Sequence, residues 1–207
     1  SYQKHILSKN NVDIFIHSWS IDHKEGLIKL YKPKDSIVEP QIDFKNEINL
    51  SIQEYYLDLT IKIKNIIKNL FKSKKVIYYS YMDRAFRARS RWYSNKKVIE
   101  LKRNYELENN FEYDFVMVSR LDVCFYTDLI FDNFDNDYFY SSFWNDVSIN
   151  SKNEVTVQKN NNFEGSGFLD FWFFSNSKIM NEFGDLYDNI CEYDISPHVA
   201  SRQHVDK

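Results

Sequence analysis

The tripeptide Arg120-Leu121-Asp122 closes the strongest apolar run of the chain, Tyr113-Asp114-Phe115-Val116-Met117-Val118-Ser119. A water-free strand that ends in a carboxylate delivers that group to the rim of a sheet. In open parallel sheets the rim at the carboxyl ends of the strands is where ligands bind. Facing a diphosphate, a carboxylate has the wrong sign unless a divalent cation lies between them. Mg²⁺ and Mn²⁺ take oxygen ligands from both sides, and such an ion offsets charge that develops on a departing phosphate. Arg120 carries a planar guanidinium that can contact phosphate itself. A plainer reading makes Asp122 the cap of the next turn. The literal Asp135-Asn136-Asp137 has no apolar strand before it and reads as a solvated loop.

Arg84, Arg87 and Arg91 share one helical face, with Arg89 turned away from it and Ser94 one turn further on. A fixed cation at ~4 Å from a phosphate charge is worth roughly 4 kcal/mol at an effective dielectric of 20, before desolvation is subtracted. The competing reading is a solvated face paired with acids. His17, Ser18 and Trp19 end an earlier apolar run, Val12 to Ile16, where an aromatic ring can stack on a nucleotide base. Asp170 lies inside Gly167-Phe168-Leu169-Asp170-Phe171-Trp172. An acid inside an aromatic strand is costly unless partnered. That makes it a candidate base for a hydroxyl, with burial raising its pKa; Glu164 competes for the role. A hydrogen-bonded structural acid is the alternative. His198 and His204, six residues apart, do not share a helical face and by themselves read as surface histidines.

The elements that must position these residues follow from periodicity. Residues 12–17 and 36–39 read as short buried strands, with a helix between them from Ser20 to about Leu30. Residues 50–72 form an amphipathic helix whose early acids and late lysines suit the helix dipole. A second long helix covers 81–107, followed by the strand at 113–119. Beyond Asp122 the pattern changes to short strands at 138–143, 154–158 and 167–174, then a helix over about 176–191. A last helix begins at Ser196-Pro197. Alternating strand and helix in the first half predicts an α/β fold: a mainly parallel central sheet, helices on both faces, and a smaller mixed second half.

Composition bounds the function. The chain has 207 residues, 43% of them hydrophobic and 28% charged, which suits one globular domain and excludes a disordered chain. A net charge of −3 gives no general pull toward nucleic acid. Cys124 and Cys191 lack CxxC spacing and read as ordinary reduced thiols. No apolar stretch is long enough to span a membrane, and SYQKHILSKN carries no signal-peptide core. The expectation is a cytoplasmic protein, or one whose targeting segment lies outside this chain. Residues 62–75 carry six lysines and no acid opposite an Ile stripe. That pattern fits an anionic membrane surface, but a solvated helix packed on the sheet is the simpler expectation.

Four motifs in order carry a family resemblance: Val12 to Trp19, Leu30-Tyr31-Lys32-Pro33-Lys34, the Arg- and Ser-bearing helix with Trp92-Tyr93-Ser94, and Tyr113 to Asp122. Together they resemble bacterial glycosyltransferases of the GT-A fold that build surface polysaccharides such as capsule and O-antigen. Here Arg-x-Asp stands in place of Asp-x-Asp. The resemblance covers residues 12 to about 180. It implies a single domain over 1–207, with a nucleotide-sugar-binding half at 1–125 and an acceptor-side half at 126–207. It implies transfer of a sugar from a nucleotide-diphosphate donor to a glycan hydroxyl, near lipid-linked acceptors at the inner face of the inner membrane. By the same resemblance Asp122 is the carboxylate nearest a divalent cation, Mn or Mg, and His198 or His204 supplies a late metal ligand. His17, Ser18, Trp19, Arg84, Arg87, Arg91, Ser94 and Arg120 become the donor-binding set. Such enzymes open with a strand and a glycine-containing loop, expected to precede Ser1. Two other readings stay open: a carbohydrate- or partner-binding module without catalysis, and a sugar nucleotidyltransferase.

Overall fold

The computed structural model describes residues 1–70, 80–142, 145–151, 154–159 and 167–207. Its organising element is α3 (Tyr81–Asn109). Ser80 and Asp83 form a reciprocal capping box at its start, which satisfies amides that have no partner inside the helix. Asn110 closes it in the left-handed conformation.

Two sets of strands lie along this helix. β1 (Phe15–Ser18) pairs in parallel with β2 (Asp35–Val38), and α1 (Lys24–Tyr31) connects them. Ser20 does not cap α1 directly; a short tight turn, Ile21–His23, intervenes. β3 (Val116–Ser119) pairs antiparallel with β7 (Leu169–Ser175), which also pairs antiparallel with β4 (Tyr140–Ser142). β5 (Asn145–Ile149) and β6 (Val155–Lys159) form a separate hairpin, and only the second of these strands is foreseen by the alternation of the sequence. The fold is therefore mixed α/β. The expected mainly parallel sheet is corrected: among the described residues parallel pairing is confined to β1 and β2, and the second sheet is antiparallel.

Period-two alternation builds the core on both faces of β3 and β7. Val116, Val118 and Phe173 face Trp92 and Ile99 of α3, Met180 and Phe183 of α4 (Ser177–Gly184), and Leu186 in the tight turn that follows. Phe174 faces the other way, with Met117 and Trp172, toward Ile6 and Phe131. Fully burying each such side chain contributes about 1.5–3 kcal/mol. Gly184 permits the close approach of α4 to α3, because a Cβ there would come within 2.7 Å of Ile99. Residues 3–7 form one wide helical turn over the second face, closed by the Ser8 amide donating to the Gln3 carbonyl. Pro197 opens α5 (Pro197–Val205) as expected, but Ser196 makes no side-chain cap.

The contacts of α3 set the strand directions. Tyr105 packs on Phe15 and Tyr93 on His17, so β1 runs opposite to α3. Glu106 accepts from the Tyr113 amide before β3, and Arg91 reaches Asp170, which lies past the Ser119–Trp172 end of the β3–β7 ladder, so β3 does likewise. β1 and β3 are therefore parallel to each other, with no hydrogen bond between them. Between them lies a cavity of about 540 Å³, lined by both strands and floored by α3.

α2 (Ile52–Leu70) departs from the sequence expectation. Its Ile stripe does not pack on a sheet; Leu59, Ile63, Ile66 and Ile67 are exposed.

Candidate functional site

The chain positions Arg120 and Asp122 by ending β3 at Ser119, where the Arg120 amide still donates to the Phe171 carbonyl at 3.0 Å. Asp122 then lies in the turn beyond the sheet, with 66% of its side chain exposed. Arg120 grips it with two hydrogen bonds, Nε to Oδ1 at 2.8 Å and Nη2 to Oδ2 at 2.6 Å. The Arg120 guanidinium holds the Asp122 carboxyl below its ordinary pKa, and Asp122 raises that of Arg120 in return.

Asp170 joins the same group from the neighbouring strand. Its side chain is only 8% exposed. Arg120 Nη1 stands 3.4 Å from Oδ1, His198 Nδ1 3.6 Å from Oδ1, and Arg91 Nε 3.7 Å from Oδ2. Arg91 also donates to the Asp170 backbone carbonyl at 3.1 Å and to Asn95. Burial pushes the Arg91 guanidinium down to about 10 against the opposing pull of Asp170, so it remains charged at neutral pH. His198 donates from Nδ1 to the Phe168 carbonyl at 2.9 Å, which fixes its ring beside Asp170. Gly167 makes that approach possible: with φ at +86°, an added Cβ would lie 1.9 Å from the His198 carbonyl oxygen. Tyr2 completes the rim, its hydroxyl bonded to Ser119 Oγ at 2.6 Å and to the Arg120 carbonyl.

The end of β1 supplies a second group, at the same level of α3 as the first. His17 is buried and bonds Glu39 from Nε2 at 3.1 Å. Burial pulls its pKa down and Glu39 opposes this less strongly. Trp19 stacks on Tyr93 at 5.4 Å and meets His17 edge-on. Ser18 Oγ accepts from the Ser20 amide. Tyr93 lies two residues from Arg91 on α3, so the ends of both parallel strands reach the same level of that helix, on different sides of it. Ser94 bonds the Ser90 carbonyl and, with Arg91 and His17, lines the cavity.

Several expected residues do not join. Arg84 and Arg87 are exposed near the start of α3, and Arg84 lies over its neighbour Tyr81. A cluster of three arginines is corrected to one, because the face they share turns to solvent before Arg91 reaches the strands. Arg89, turned away from that face, is also buried; it donates to the Glu47 carbonyl and lies beside Cys191. His204 pairs with Tyr193 through Nδ1 and with the Glu182 carbonyl through Nε2, so both ring nitrogens are engaged away from Asp122. Asp135 and Asp137 form an exposed turn, as expected. Glu164 lies outside the described residues.

As folded here, the Asp122 carboxylate is paired with Arg120 rather than open to a divalent cation. Both Asp122 oxygens bind Arg120, and among the described residues no three metal-ligating side chains converge.

Sequence reasoning passes over Lys102, Glu106 and Ser177, which form a buried polar network behind the cavity. Lys102 and Glu106 stand four apart on a predicted helix, the only sequence signal for their pairing. Burial alone would raise the Glu106 pKa, but Lys102, Ser177 and the Tyr113 amide together lower it. With its partners satisfied, the network ties α3 to α4 and to the segment that leads into β3.

No family model, curated protein or solved structure matches this chain.

Proposed function

We propose that the chain is a glycosyltransferase that moves a sugar from a nucleotide-diphosphate donor to a glycan hydroxyl. The observation that carries this reading is the meeting of Arg91, Arg120, Asp122 and Asp170 where β3 ends, with Arg91 lining a cavity that His17 at the end of β1 also lines. Two parallel strands that end together make a crevice of the kind nucleotides occupy. Trp19, stacked on Tyr93 through one face, supplies the ring for a base, and the arginines offer fixed donors to a diphosphate.

The reaction this supports is a displacement at the anomeric carbon. The acceptor oxygen forms the new glycosidic bond as the bond to the diphosphate breaks. The leaving nucleoside diphosphate takes the electron pair, the acceptor hydroxyl releases its proton to a diphosphate oxygen, and Arg91 and Arg120 neutralise the charge that develops on the leaving group. Arg120 would exchange its grip on Asp122 for phosphate oxygens, a swap between like carboxylate and phosphate geometries. Asp170, expected as the base, is engaged by two arginines and His198. That supports a positioning role, in which it keeps Arg91 and Arg120 aimed at the crevice. The GT-A assignment stays with this proposal; it rests on the motifs and on the two strand ends that line one cavity.

Thermal shift against UDP-, GDP- and CMP-sugars tests the reading. One of these donors should stabilise the chain, by about 2.7 kcal/mol at a hundredfold excess over its dissociation constant. Arg91→Ala should abolish the shift, and Arg120→Ala should weaken it. A glycan-binding module would respond to oligosaccharides and ignore every nucleotide, and that result would overturn the proposal.

A further inference from the structure

α2 places its side chains in an unusual order. At 100° per residue, Ile52, Tyr56, Leu59, Ile63, Ile66 and Ile67 fall within an arc of about 100°. All six are exposed, Ile52 at 78% and Ile66 at 60%. The stripe turned toward the protein holds Glu54, Asp58, Ile61 and Asn65, close to the opposite side of the helix. Asp58 is the buried anchor of that stripe: it accepts from the Met82 amide at 3.0 Å and pairs with Lys62 at 2.7 Å. The helix is thus held to α3 by polar groups and shows its apolar face outward. A helix packed only for stability does the reverse.

Charge selects the occupant of that face. Lys62 and Lys64 stand on its two borders, both exposed. The sequence continues with Lys68, Lys72, Lys74 and Lys75 and contains no acid from 62 to 75, in a chain whose net charge is −3. Lysine is depleted from the centres of protein interfaces, where aromatic residues and arginine dominate. Aliphatic side chains bordered by lysine match a bilayer surface, where the lysine stems lie along the acyl boundary and the ammonium groups meet anionic headgroups. No described helix is long and apolar enough to cross a membrane, so α2 would lie in the surface plane.

We propose that the outward face of α2 docks the protein on an anionic lipid bilayer. The face is separate from the Arg91–Asp170 group, so docking stands or falls independently of the transferase reading.

Sedimentation with vesicles tests it, using the whole chain and vesicles of phosphatidylglycerol with phosphatidylethanolamine, against phosphatidylcholine alone. The chain should bind the anionic vesicles, lose binding as salt is raised, and ignore phosphatidylcholine. Ile63→Glu and Ile66→Glu alter exposed side chains, so both variants should keep the wild-type circular dichroism spectrum and melting temperature. Each should weaken vesicle binding about tenfold or more. Lys64→Glu should weaken it mainly at low salt. Absence of binding to anionic vesicles at low salt would overturn the proposal, as would binding that both glutamate variants leave intact. Light scattering decides the main rival: a dimer that Ile66→Glu dissociates would assign the face to a second copy of the chain instead.

Discussion

Asp170 and His17 illustrate what a buried polar side chain does when its neighbours differ. Asp170 is surrounded by the Arg91 and Arg120 guanidinium groups and the His198 ring, and its burial serves to hold them in place. His17 has a single carboxylate partner and a ring otherwise enclosed by Trp19 and Tyr93. The neutral ring is the form the fold prefers, and its pKa is lowered. An unfolded histidine titrates near 6.5, above the folded value, so below that pH the unfolded chain takes up the proton first. Stability attributable to His17 is present above about pH 6.5 and is lost as pH falls through the lowered folded value. Urea unfolding of the wild type and of His17→Gln between pH 7.5 and 5 checks this. The wild type should lose more stability on acidification than the variant, and parallel curves would refute it.

β1 and β3 have their edges arranged for a distinct kind of measurement. The Ile14 and Ser18 carbonyls bond amides at the two ends of β2, so Phe15 and His17 turn their backbone groups to the other edge. The Arg120 amide bonds β7, which places Val118 on that same side and turns Met117 and Ser119 away. Among the described residues no strand pairs with those outer edges, and both face the cavity. The Phe15, His17 and Met117 amides should therefore exchange with deuterium faster than those of Ile16 and Val118, as read residue by residue by NMR. Equal protection across each strand would show that these edges are closed. α2 makes a related point. Its periodicity was enough to predict a helix, but a helical stripe does not state which side the protein covers. Asp58 and its bond to the Met82 amide decide that, and they pull the polar side inward.

At the scale of the molecule, α3 is the shared wall of both strand sets. It packs on β1 through Tyr93 and Tyr105 and on β3, β7 and α4 through Trp92 and Ile99. Trp92 is fully buried against Phe173 and Phe183. Trp92→Ala should cost about 3–5 kcal/mol in urea unfolding. Because one helix serves both sheets, loss of structure around β1 and around β7 should coincide in a single transition; separate transitions would show that the halves fold apart.

Local signals in the sequence carried the helix at 81–107, the strands near residues 15, 36, 116 and 170, and the carboxylate at the end of a strand. Each of these depends on spacing along one segment: a helical or twofold period, a cap, or an apolar run of limited length. The same rules grouped Arg91 with Arg84 and Arg87, since all three share a helical face. Only tertiary packing separates them, because the strands meet that face at Arg91 and leave its Arg84 and Arg87 end in water. Asp122 and Asp170 are far apart in sequence, and their meeting through Arg120 required the antiparallel pairing of β3 with β7, whose direction no local period encodes. The burial of Lys102 with Glu106 and the exposure of the α2 isoleucines have the same origin: a segment specifies its own faces, but the neighbours that arrive determine which of them loses contact with water.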